Sequence, residues 1–417
     1  MTRRVVIVVC DSLGARFIDA RRTPTLHAMR GSAAEFTCAR SVFPSTTRTS
    51  SASMATGCYP MEHGLLGNTM VIDEGQGLVC LSAGAPDFLD RLRKATGQSL
   101  KRPTLAQRLA NHGGAVVMSN VSPGAAYLHD PDGHGHVYHR QGSYGPGRAR
   151  LPESPPIAVG MAGDAWLTER FCRDFVRSDG PALALLWLSE PDHTAHHHPL
   201  GSSAHLAAIA HADRCVQQVR EAIRAIDPND KEMLMIACSD HGMETVHRRI
   251  DVESGLIEAG LKASHQSTDV VVAPNGTSVL FYFEDCGSPQ VDAVARWLEA
   301  QDFCGRVVQG GELGSLGLPA AHPLGLALTM RQYDVPNAFG VHGRSDTAAS
   351  PFSSSSAPGC AQHGGLGPNE QHPFLFIEGG AFEPGPRRQA VSLVDIAPTV
   401  LRHLGLPPDG MQGSALH

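Results

Sequence analysis

Short runs of aliphatic and β-branched residues punctuate the chain at Arg4–Cys10, 115–121, 182–189, 232–239 and 374–378, each apolar at consecutive rather than alternate positions. That pattern suits parallel strands buried on both faces. Between them lie helix-like stretches at 104–111, 163–177, Ser203–Ile226 and 392–404. The last is bounded by Ser392 as a cap and by Gly405 ahead of Pro407 and Pro408. Strands alternating with helices predict an α/β sandwich around a mostly parallel sheet.

The texture changes at 255–359. Short apolar runs at 270–272 and 279–283 and a helical stretch at 291–298 give way to Gly/Pro/Ser-rich sequence ending in the serines 353–356. This predicts an inserted cap subdomain with a Gly/Ser/Pro-rich return, the core being 1–254 and 360–417. The stretch 130–147 is rich in Gly and His without a period and is expected to be loop.

Composition narrows the function class. The 417 residues carry a net charge of −7, which argues against a nucleic-acid polymer as partner. No apolar run approaches the roughly 20 residues needed to cross a bilayer. The six apolar residues after Arg4 are too few for a signal-peptide core. Ten cysteines without a Cys-x-x-Cys pair indicate neither a disulfide scaffold nor a redox enzyme; a cytoplasmic protein is expected, and a homo-oligomer is compatible with the sequence. The unusual count is 22 histidines, and histidine is the commonest transition-metal ligand.

Candidate chemistry sits where the strands stop. Arg4–Cys10 runs into Asp11, 182–189 into Glu190-Pro191-Asp192, and 232–239 into Asp240-His241. Ligands of open α/β sheets bind beyond the carboxyl ends of strands, so these acids should converge. Asp192 and His196, four apart, share a face if Pro191 opens a helical turn. A single Asp after a strand is usually just a helix cap; three of them, two with histidine partners, point to a metal such as zinc, manganese or iron.

The motifs VVCDSLG at 8–14, FPSTTRTSSASMATGCYPMEHGLLGN at 43–68, SEPDHTAH at 189–196, SDHGM at 239–243, HGG at 363–365 and VDIAPTVLRHLGLPP at 394–408 together resemble the alkaline phosphatase superfamily. The branch is that of nucleotide pyrophosphatase/phosphodiesterases and phosphonoacetate hydrolases. The resemblance implies an alkaline-phosphatase-like three-layer sandwich and two Zn²⁺ ions, with Mn²⁺ or Fe²⁺ compatible. One ion would be held by Asp11, Asp240 and His241 with the Thr47 oxygen, the other by Asp192, His196 and His363. It also implies Thr47 as the nucleophile of a covalent phosphothreonine mechanism and Asn68 as a donor to the phosphoryl group. On spacing alone Ser45, Thr46, Thr49 and Ser50 are equal candidates for the nucleophile.

The substrate is less defined. Arg48-Thr49-Ser50 replaces the Phe-Pro-Asn usual in nucleotide pyrophosphatases, and no lysine pair follows 115–121 as in phosphonoacetate hydrolases. The remaining substrate-contact candidates are Arg48, Trp187 as a stacking ring, and His134, His136, His139 and Arg140 in the polar loop. A small phosphodiester or phosphonate ester is the expected substrate. The alternatives are C–P bond hydrolysis, phosphomonoester hydrolysis, and a binding protein that retains the fold without catalysis. A sulfatase is disfavoured because Glu62 stands at the arginine position of the Cys-x-Pro-x-Arg signature.

Overall fold

Arg4–Cys10 is the axis of the molecule, and every side chain after Arg4 in it is buried. Its register sets Val9 opposite Cys238 of Met233–Cys238 and Cys10 opposite Leu188 of Leu183–Leu188, both parallel. Ala115–Ser119 continues the parallel array beyond Leu183–Leu188. These four strands are the centre of a ten-stranded sheet. Leu375–Gly379 runs antiparallel beside Met233–Cys238, and Ala34–Arg40 and Gly385–Ser392 finish that edge.

Helices cover both faces because the pleat sends alternate side chains to opposite sides. Val5, Ile7 and Val9 pack with Met54, Leu105, Ile396 and Val400 on one side. Val6, Val8 and Cys10 pack with Leu167, Phe171, Ile209, Val216 and Val219 of Met161–Asp174 and Ser203–Ile226 on the other. The result is a three-layer α/β sandwich. This computed structural model describes residues 3–75, 77–152, 154–229, 231–352 and 357–417. The serines 353–356 of the expected return segment lie outside the described residues. Among the described residues no helix is long and apolar enough to cross a membrane, and all ten cysteines are free.

Within 255–359 a second, antiparallel sheet forms in the order Val270–Pro274, Ser278–Phe283, Leu324–Met330, Cys304–Gln309. One face packs on the helix Pro289–Glu299 through Val294 and Leu298. The other packs on an antiparallel hairpin, Thr69–Asp73 with Leu78–Ser82, through Val71 and Leu81. Strand Glu244–Ile250 pairs with His342–Ala348 on one side and with Ala361–Gln362 on the other.

The stretch 130–147 is not wholly loop. His136–Tyr138 adds a strand to the main sheet, parallel to Ala115–Ser119, with Val137 buried. Three residues with one apolar position carry no readable period, so backbone pairing to an existing edge decides this strand.

Candidate functional site

The central register places the acids. Two residues beyond the Val9–Cys238 pair, Asp11 and Asp240 leave adjacent strands at the same level. The Ser12 N–H donates to Asp240 Oδ1 at 3.1 Å, and the Asp192 N–H donates to the Asp11 carbonyl at 3.2 Å. Asp192 opens the short helix Asp192–Ala195, so His196 follows it one turn on. His363 arrives from the loop after Ala361–Gln362. Two groups result, Asp11/Asp240/His241 and Asp192/His196/His363, each able to present one ligand atom per residue within 4.8 Å of the others. The His241 and His363 rings stack at 3.7 Å, which makes the groups neighbours.

Each imidazole is anchored through Nδ1 to a backbone carbonyl: His196 to Ala361 at 3.2 Å, His241 to Gly242 at 3.0 Å and His363 to Ser45 at 2.8 Å. A carbonyl only accepts, so Nδ1 carries the proton and Nε2 of the neutral ring presents its lone pair. Those lone pairs face carboxylate oxygens: His241 Nε2 lies 3.0 Å from Asp240 Oδ2 and 3.6 Å from Asp11 Oδ1, and Asp192 Oδ1 lies 3.4 Å from His196 Nε2 and 3.6 Å from His363 Nε2. The same oxygens, Asp11 Oδ1, Asp192 Oδ1 and Asp240 Oδ2, are buried and accept no hydrogen bond. Orphaned buried acceptors are rare. Lone pairs turned on one another fit a pair of cations between them. Burial, then Asp240 and Asp192, holds the Asp11 carboxyl well above its usual range, whereas burial and then His241 hold His363 well below the imidazole range.

Thr47 opens the helix Thr47–Thr56, with Thr46 extended as its cap, and its Oγ1 is 3.3 Å from His241 Nε2. The neighbouring hydroxyls have other partners. Ser45 Oγ donates to Gly365 and accepts from Gly364 N–H, Thr46 and Thr49 pair with each other at 2.8 Å, and Ser50 Oγ reaches the Asp240 carbonyl at 3.5 Å. Of these five hydroxyls, only that of Thr47 has a triad side chain as its hydrogen-bond partner.

These groups open into a cavity of about 410 Å³ lined by Asp11, Thr47, Arg48, Asn68, Arg140, Asp192, His196 and His363 and also by Arg249, Asn275, Gly276 and Thr347. Asn68 Oδ1 accepts from the Arg48 N–H at 3.2 Å, so its NH₂ is the end available to a ligand. Of the loop candidates only Arg140 reaches the wall. His139 is buried with Nε2 3.0 Å from the Val121 carbonyl, His136 stacks beside Tyr138, and His134 is held through its backbone by Asp130. Trp187 is no stacking platform: it is fully buried, and its indole N–H donates to Asp11 Oδ2 at 3.1 Å. Leu183 and Leu185 share its face of the sheet, and a continuously apolar run does not announce which side chain abuts an acid.

Two braces hold the loop of His363: Glu370, which the sequence motifs do not include, and Gly364 of the motif at 363–365. Glu370 accepts from Gly365 N–H at 3.0 Å, Gly367 N–H at 3.0 Å and Thr277 Oγ1 at 2.5 Å, holding the loop that carries His363. Gly364 supplies the other: φ is +127° and its missing Cβ would stand 1.8 Å from the Asn275 carbonyl oxygen. Gly364→Ala is therefore expected to lower stability by about 2–4 kcal/mol, because a strained dihedral and a backbone clash add. The urea midpoint measures this, and an unchanged midpoint would show that the loop yields freely.

The fold is shared with known structures. Murine ectonucleotide pyrophosphatase/phosphodiesterase 5, in an inactive threonine-to-alanine form in complex with AMP, superposes with a TM-score of 0.68 at 16% identity, covering 99% of this chain and 97% of that one. The same murine protein without the substitution gives 0.67 at 16%, covering 99% and 98%. The human protein gives 0.66 at 16%, covering 99% and 97%. No curated protein sequence matches the chain. Residues 5–295 match the model of the type I phosphodiesterase/nucleotide pyrophosphatase family, well over half of the chain, and the protein belongs to that family.

Proposed function

We propose that the protein is a divalent-metal-dependent phosphodiesterase-type hydrolase in which Thr47 forms a transient phosphothreonine. The observation that carries this reading is the pair of neighbouring Asp/His triads, each with an orphaned carboxylate oxygen, one of which holds the hydroxyl of Thr47 through His241. Asp11, Asp240 and His241 would hold one ion, and Asp192, His196 and His363 the other. Zinc is preferred for this mixed donor set, and Mn²⁺ or Fe²⁺ is compatible. Two bound ions polarise the phosphoryl group and neutralise charge on the entering and leaving oxygens.

The chain's own groups do the rest. The amides at the start of Thr47–Thr56 favour an anionic phosphoryl group, and the Asn68 NH₂ donates to one of its oxygens. The Thr47 Oγ1–P bond forms as the P–O bond to the leaving group breaks, and the hydroxyl proton passes through solvent to the departing oxygen. Water then cleaves the phosphothreonine and restores the hydroxyl. The polar wall supports a small phosphodiester or phosphonate ester as substrate, and AMP in the murine neighbour supports a phosphate-bearing small molecule. We take 255–359 as a cap on this site, supported by Asn275, Gly276 and Thr347 on the cavity wall.

Metal analysis of the purified protein, followed by hydrolysis of p-nitrophenyl phosphodiester, phosphomonoester and phosphonate esters, tests the reading. About two ions per chain and preference for a diester or phosphonate ester are expected; no turnover after zinc or manganese addition ends it. Trp187→Phe removes the donor to Asp11 while keeping most of the ring's bulk. It is expected to weaken metal affinity by roughly 10–100-fold, the usual effect of losing a partner of a metal ligand. Competition with a fluorescent chelator measures this, and unchanged affinity would make Trp187 a core residue only.

A further inference from the structure

The cavity wall beside Thr47 holds two guanidinium groups, Arg48 and Arg140, that no carboxylate contacts among the described residues, although the buried Asp164 acts on Arg140 from behind Asn120. Arg48 Nε is buried and has no hydrogen-bond partner. Its NH1 reaches only the Asn68 carbonyl, at 3.4 Å. The guanidinium lies against Gly84, where a Cβ would stand 2.3 Å from NH2, so the room it occupies exists because that residue is glycine. Arg140 NH1 is fixed at the end of Ala115–Ser119 by the carbonyls of Asn120 at 2.6 Å and Val121 at 3.0 Å. Among the described residues no carboxylate forms an ion pair with Arg48, Arg140 or the nearby Arg249. Among the described residues the carboxylates on this wall are Asp11 and Asp192, which belong to the triads.

Burial lowers the pKa of the Arg48 guanidinium, and Arg140 is half-buried; a guanidinium drawn from water without a contacting anion is costly, and it is the planar fork that matches carboxylate and phosphate. A lone phosphodiester carries one charge, which the triads' side of the site already engages. We propose that Arg48 and Arg140 form a subsite for a second anionic group, a carboxylate or a phosphate, carried by the substrate in addition to its scissile phosphoryl group. The proposal rests on the phosphoesterase reading and sharpens its substrate class.

Calorimetric titration tests it without turnover. Phosphonopropionate is compared with isopentylphosphonate, in which an isopropyl group replaces the carboxylate, and with ethylene bisphosphonate, which replaces it with a second phosphonate. The protein is expected to bind one or both of the probes that carry a second anionic group roughly 10–100-fold more tightly than the isopentyl compound, the worth of a charge-assisted hydrogen bond. Whichever of the two binds better identifies the natural group. In Arg48→Met, and in Arg140→Met should the first variant not fold, that preference is expected to fall to within about threefold.

Equal affinity for all probes in the unsubstituted protein overturns the proposal. So does a preference that survives in the variants. An equal loss for every probe in Arg48→Met assigns the residue to the scissile phosphoryl group and overturns it too. The two readings fail separately. Hydrolysis of p-nitrophenyl esters with no anion preference removes the subsite and leaves the hydrolase, whereas preference without any hydrolysis does the reverse.

Discussion

Thr47→Ala is expected to lower kcat on a p-nitrophenyl phosphodiester by about 10⁴-fold or more, the scale seen when a nucleophile is deleted from a preorganised site. The loss should be this large because no neighbouring hydroxyl is placed to substitute. Ser45 is tied to Gly364 and Gly365, Thr46 and Thr49 are paired, and Ser50 turns to the Asp240 carbonyl. Metal content and the circular dichroism spectrum should stay close to those of the parent protein, because losing the Thr47 hydroxyl leaves all three Asp/His ligands of each triad in place and alanine sustains the helix. Thr47→Ser, which keeps the hydroxyl on a freer side chain, should retain part of the rate. A Thr47→Ala rate within tenfold of the parent would remove Thr47 from the chemistry.

Chelation is expected to abolish turnover and to lower thermal stability, with zinc or manganese restoring both. Asp11, Asp192 and Asp240 gather buried oxygens that nothing in the chain satisfies, and burial together with the neighbouring carboxylates already disfavours ionised Asp11. An ion present at 100 times its Kd adds about 2.7 kcal/mol of stability per site by mass action alone. His363 is held as a neutral imidazole near neutrality, so it needs no proton release to bind. His363→Ala should therefore cut the bound metal from about two to about one per chain and the rate by at least about 10³-fold, since the two-ion arrangement supplies the main stabilisation of charge. Mass spectrometry of the native protein counts the ions. A full complement of metal in His363→Ala, or an unchanged melting temperature after chelation, would show that these residues do not form the metal centre.

Much of this was legible before any coordinates. Asp11, Asp192 and Asp240 each follow a continuously apolar run, and a run buried on both faces can only be an inner strand, whose carboxyl end opens onto the site. The spacing of Asp192 and His196 announced a shared face. The triads were grouped by resemblance rather than by spacing, since His363 lies 122 positions beyond His241 in the chain and nothing local links them.

Tertiary structure alone decided the rest. Five hydroxyls from Ser45 to Ser50 are equivalent in sequence, and they separate only in the fold: the loop at 363–365 occupies Ser45, Thr46 and Thr49 pair, Ser50 turns to the Asp240 carbonyl, and Thr47 meets His241. The histidines of 130–147 were expected at the substrate, yet His136–Tyr138 joins the main sheet, His139 is buried against the Val121 carbonyl, and Arg140 is left on the wall. Trp187 looked like a stacking ring, yet it lies beneath Asp11 as a hydrogen-bond donor. Sequence specifies what is buried and where strands end, because burial follows from residue type and period. It does not specify which buried groups meet, because a contact between distant segments is set by register and loop closure rather than by any property of either segment.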